Sequence, residues 1–101
     1  MKIQWSRKAR RDVLGIGRYI ARRNPEAARS MVFELRTRVQ GIVSFPLSGR
    51  VVPEIAREDV REVIERNYRI VYLVKEDAIE IVRVFEAHKL FPLKDFEEKQ
   101  E

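Results

Sequence analysis

The chain has no cysteine and a single histidine among its 101 residues, and these two scarcities remove whole classes of chemistry. Without thiols there is no disulfide, no thiolate nucleophile and no cysteine zinc site, a usage expected in a reducing cytosol. One histidine, with no serine in a Gly-rich turn, leaves no convincing nucleophile, base and orienting group. No P-loop, dinucleotide fingerprint or metal-ligand cluster occurs, so neither a cofactor nor a metal is expected. Also missing are a charged leader with an apolar segment and any run of about 18 apolar residues, which predicts a cytoplasmic protein with no signal peptide and no membrane span.

What the chain does have is charge. Charged residues reach 37%, the net charge is +5, and hydrophobic residues make up 45%, enough for one small core in a single domain over 1–101. The charge is unevenly spread: residues 1–50 hold 12 Lys and Arg against 3 Asp and Glu, net +9, while residues 51–101 hold 9 against 13, net −4. Of the 21 basic residues 15 are arginine, whose planar fork suits phosphate and carboxylate. A polyanion or an acidic protein partner fits this surface, and so does a solvated face laced with ion pairs.

Lys2 to Trp5 alternates polar and apolar residues and predicts a short strand. Ser6 then caps a helix whose Ala9, Val13, Ile16 and Ile20 share one face. Gly15 and Gly17 each weaken that helix by about 1 kcal/mol relative to Ala, and close approach of a second helix accounts for them. Asn24-Pro25-Glu26 is such a second start, with an oxygen for the orphan amides, a preset φ and a carboxylate at the positive end of the dipole. Ala28, Val32, Leu35, Val39 and Ile42 carry the stripe to about Val43, so the two helices form an antiparallel hairpin.

Phe45-Pro46 stops the second helix. A loop over 46–59 leads into three predicted strands, Val60–Arg66, Tyr68–Val74 and Ala78–Glu86, with a tight turn at 75–77. The expected fold is α+β: a helical hairpin packed on a small, mainly antiparallel sheet in the order β-α-α-β-β-β, the first strand adding in parallel. On the middle strand Ile70, Tyr72 and Val74 share one face and Arg69, Val71 and Leu73 the other. With the first face against the helices, Arg69 is expected to open onto an exposed face. Residues 90–101 read as a short tail, with a helical turn near its start whose Leu93 and Phe96 pack back.

Trp5, Tyr19-Ile20, Asn24-Pro25 followed by Ala27-Ala28, Phe45-Pro46, Gly49-Arg50, Pro53-Glu54, Arg61-Glu62 and Tyr68 to Tyr72 occur in an order and spacing over residues 3–88 that resemble the RelE/ParE family of toxins. The long hairpin and the Asn-Pro start resemble the ParE side, whose members inhibit DNA gyrase and have no established catalytic residues. The resemblance therefore implies the toxin of a type II toxin-antitoxin pair, with a cognate acidic antitoxin and DNA gyrase as partners. Its RelE side implies an alternative, a metal-independent endoribonuclease that cuts mRNA on the ribosome and leaves 2′,3′-cyclic phosphate ends. A third reading is a basic binding module without toxicity.

The nuclease alternative has candidate residues. The 2′-OH of RNA can attack the adjacent phosphate itself, so the protein need only move protons and stabilise charge. By resemblance to RNA-cleaving members, Glu54 would be the general base, Arg69 the transition-state arginine and His88 the third group. Arg50, Arg61, Arg83 and Lys89 are candidates for nucleic-acid or partner binding. Structural roles stand beside these: Glu54 bracing its loop against Arg61 or Arg69, and Arg69 and Arg83 paired across the sheet with Glu62, Glu65 or Glu80. Two departures bear on the choice. The His-x-x-Arg that follows the last strand in ParE-like members corresponds here to Glu86-Ala-His88-Lys89, and segment 46–59 has only Arg50 and Arg57 in place of RelE's paired basic residues.

Overall fold

The computed structural model describes residues 1–94 and consists of β1 (Lys2–Trp5), α1 (Arg7–Ala21), α2 (Pro25–Ile42), β2 (Arg50–Val51), β3 (Val60–Glu65), β4 (Tyr68–Val74) and β5 (Ala78–Glu86). The sheet order is β1-β5-β4-β3-β2, with β1 parallel to β5 and the other neighbours antiparallel. The α+β hairpin-on-sheet architecture and the parallel first strand are as expected. The loop over 46–59 differs by containing β2, two residues that pair with Arg61 and Glu62.

Local chemistry explains the boundaries. The Ser6 hydroxyl accepts from Ala9 N–H at 2.9 Å and donates to Val82 O at 2.8 Å, so one side chain caps α1 and ties it to β5. Asn24 caps α2 by accepting from Ala27 N–H, with Pro25 in the first turn. A Cβ on Gly17 would lie 3.2 Å from Val32 Cγ2, so the close helix approach is real there; Gly15 meets nothing within 4 Å and has no such role. Arg66 takes a φ of 56° in the turn between β3 and β4, which ends β3 at Glu65.

The main core lies between the hairpin and the sheet, built from Ala9, Val13, Leu35, Val39 and Ile42 against Val63, Ile70, Tyr72, Ile79, Ile81 and Val84. A second, smaller core covers the opposite face. Val52, Val60, Val71, Leu73, Val82 and Phe91 form it, with Ile55 and Phe85 packed alongside. The expectation of an exposed face under Arg69 is thereby corrected, because residues 52–55 and Phe91 fold over it. The apolar runs of β4 and β5 have the physical reason in them: strands covered on both faces lose the polar alternation of a half-solvated sheet. In the tail, Leu93 is about half exposed and does not pack back; Phe96 lies outside the described residues.

Candidate functional site

Arg69 sits near the start of β4, only 4% exposed, and it organises everything around it. Its neighbours across the sheet are Ile64 on β3 and Phe85 on β5, while Glu62 lies diagonally on the same face. Nε donates to Glu62 Oε1 at 2.6 Å; Nη1 donates to Glu54 Oε2 and to Lys89 O, both at 2.8 Å; Nη2 donates to Glu54 Oε1 at 2.9 Å. Four of its five N–H groups are thus engaged. The guanidinium carbon also stands 5.0 Å from the centroid of the Phe85 ring, a cation–π contact that covers one face of the fork.

Glu54 reaches this arginine because of its turn. Ile55 and Ala56 N–H both donate to Val52 O, closing a tight loop in which Ala56 adopts a φ of 55°. The Glu54 carboxylate spans Arg69 in a bidentate pair and accepts from Phe91 N–H at 2.7 Å. The hydrogen bonds from Arg69, and the one from Phe91 after them, outweigh partial burial and pull its pKa from 4.5 to about 2. Arg69 is raised in turn, chiefly by Glu54. Glu62, 1% exposed, holds both Arg69 and Arg50. The result is a polar knot that fastens the 52–56 loop and the 87–91 segment to β3 and β4.

The other candidates have separate duties. Arg61 donates to the carbonyls of Glu58, Leu47 and Gly49 and pairs with Glu58, so it holds the loop before β3. The Tyr72 hydroxyl donates to Pro46 O at 2.7 Å and accepts from Gly49 N–H at 3.2 Å, fixing the same loop from the core side; burial raises the pKa of this phenol. Arg83 pairs with Asp12 on α1, a partner the cross-strand expectation did not name, and Asp12 also accepts from Val84 N–H at 2.8 Å. Exposed Lys89 pairs with Glu86, which is partly buried. His88 is exposed in the turn after β5 and makes no hydrogen bond or ion pair with a described residue. The structure brings Glu54, Arg69 and the Lys89 carbonyl together, keeps Arg50 at one remove through Glu62, lets Arg83 touch the group only through the shared Phe85 ring, 5.9 Å from its centroid, and leaves His88 outside. Asp12 was not read as functional; its only signal was being one of three acids in a basic half.

The chain matches the model of the ParE toxin of the type II toxin-antitoxin system parDE over residues 3–91. It belongs to the ParE toxin family. This toxin is 33% identical over 93 residues to Y4kP, a candidate toxin of Sinorhizobium fredii, the match covering 90% of this chain and 93% of that one. It is 30% identical over 89 residues to the toxin RelE2 of Caulobacter vibrioides, covering 88% and 98%. Its fold superposes on a chain of the chromosomal ParDE system from P. aeruginosa with a TM-score of 0.72 and 26% identity, covering 87% and 97%. As a type II toxin it pairs with a cognate antitoxin. Among the described residues no helix is long and apolar enough to cross a membrane, and no group of three or more His, Cys, Asp or Glu is placed to hold a metal.

Proposed function

We infer that this toxin acts on DNA gyrase and not on RNA. The observation that carries the reading is the state of Arg69 and Glu54. A nuclease of the kind implied by the RelE side needs a guanidinium facing the scissile phosphate and a base whose pKa lies near the working pH. Here the guanidinium is buried and engaged by two carboxylates and a carbonyl. A carboxylate held at about 2 is a poor proton acceptor at neutral pH, and exposed His88 joins neither group. The knot therefore reads as a brace, which favours the ParE side of the resemblance. A net charge of +5 suits an acidic antitoxin, since complementary charge speeds encounter and suppresses wrong partners.

Expression in bacteria, with gyrase supercoiling in vitro and primer extension on mRNA measured in parallel, tests this. Glu54→Gln and His88→Ala, checked for folding, should still arrest growth and block supercoiling. Cleaved mRNA with 2′,3′-cyclic phosphate ends, abolished by Glu54→Gln while supercoiling is untouched by the wild type, would overturn the reading.

A further inference from the structure

β2 is too short to finish the edge of the sheet. It pairs only with Arg61 and Glu62, so from Val63 to Glu65 no described strand flanks β3 on its outer side. Beside this bare edge α2 leaves a groove of about 320 Å³, lined by Phe33, Glu34, Thr37, Arg38, Gly41 and Glu65. Phe33, Thr37 and Gly41 follow one another at i, i+4 and i+8 along the helix, and the Phe33 ring is 69% exposed. Gly41 lies in α2 without a positive φ, and a Cβ there would meet nothing within 4 Å. Neither backbone strain nor crowding inside the chain calls for a glycine, which weakens a helix. What the missing side chain does is keep the groove open.

The charges around the groove are lopsided. Two ion pairs bridge α2 to the end of β3, Glu34 with Arg66 at 2.7 Å and Arg38 with Glu65 at 3.8 Å. On the other side of Phe33 stand Arg29, one turn before it, and Arg36, one turn after. Both are exposed and form no ion pair with a described residue. Acids are short in this half: of the three carboxylates in residues 1–50, Asp12 pairs with Arg83 and Glu34 with Arg66.

We propose that this groove seats an amphipathic, acidic helix of the cognate antitoxin, and that Gly41 is the residue that admits it. A helix laid along α2 sets apolar side chains on Phe33 and into the space over Gly41, and carboxylates on one flank meet Arg29 and Arg36. From Phe33 to Gly41 the row runs about 12 Å, roughly two turns of such a helix. A nucleic-acid strand fits less well, because its phosphates would lie beside Glu34 and Glu65, whose arginines are already committed. A second copy of this chain would bring the same unpaired arginines face to face, and like charges across an interface repel. The proposal rests on membership of the toxin family. It goes beyond the gyrase reading, which can fail without touching it.

The test is isothermal titration calorimetry of the purified full chain with its cognate antitoxin, with thermal unfolding of each variant and stopped-flow association across a salt series. Gly41→Met should weaken the complex about tenfold or more by filling the groove, while Tm stays level or rises because Met is the better helix former. Gly15→Met, the same exchange at an equally open helical position outside the groove, should leave affinity within about twofold of the wild type. Phe33→Ala should cost about tenfold or more. Arg29→Ala/Arg36→Ala should slow association and flatten its salt dependence, with dissociation little changed. Wild-type affinity in either Gly41→Met or Phe33→Ala would overturn the proposal, as would equal losses from Gly41→Met and Gly15→Met. An unchanged salt dependence in the arginine pair removes the acidic flank and the proposal with it. It also fails if single-stranded RNA, duplex DNA or a second copy of the chain binds the wild type and is lost in Gly41→Met while the antitoxin is unaffected.

Discussion

Replacing Glu54 by Gln keeps the shape of the side chain and removes the charge that faces Arg69. The carboxyl is lowered from 4.5 to about 2, first by its hydrogen bonds from Arg69 and then by the Phe91 amide. Each pKa unit of difference between folded and unfolded states corresponds to about 1.4 kcal/mol, which puts the contribution at no more than about 3.5 kcal/mol. The side chain is 16% exposed, so screening trims this to about 2 kcal/mol. The sign follows from the direction: a depressed folded-state pKa contributes in full above the unfolded value of 4.5 and is lost as pH falls toward 2. Glu54→Gln does not titrate at that position. Wild type should therefore exceed the variant by about 2 kcal/mol at pH 7, with the gap closing between pH 4.5 and 2. With a urea m-value of about 1 to 1.5 kcal/mol/M, expected for a chain of this size, the midpoint at pH 7 should fall by roughly 1.5 M. A gap below about 0.5 kcal/mol, or one that stays constant from pH 7 to pH 2.5, would refute the brace.

Three further substitutions probe the same region by thermal or urea unfolding. A methyl on Gly49 would stand 2.5 Å from the Tyr72 hydroxyl and 2.6 Å from Glu62 O, so Gly49→Ala should cost about 2 kcal/mol or more by overpacking; a neutral result would mean the loop retreats freely. Ala56 holds a φ of 55°, and Ala56→Gly should stabilise the protein by up to about 1 kcal/mol by relieving it. Phe91, 3% exposed and with its ring centroid 6.0 Å from that of Phe85, should cost about 3 kcal/mol as Phe91→Ala. A loss under 1 kcal/mol would show that the segment after β5 is not part of the second core.

The sequence by itself determined the helices, the strands other than β2, and the family. Ser6, Asn24-Pro25 and Phe45-Pro46 act on their own neighbours, and the stripes from Ala9 to Ile20 and from Ala28 to Ile42 reflect helix geometry that needs no distant partner. The strand boundaries from Val60 to Glu86 were legible for the same reason, and the pairing of Arg69 with Glu62 was within reach of a register argument. What only the tertiary structure decided was the fate of Arg69. Its burial requires Glu54, 15 positions earlier, and the Lys89 carbonyl, 20 positions later, to converge on one face. The Asp12 to Arg83 pair spans 71 positions. The unbroken apolar runs of β4 and β5 hinted that both faces are covered, but not by what. Local patterning records which side chains avoid water, while the choice of partner for a charge depends on where loops and tail return in space, and no periodicity encodes that.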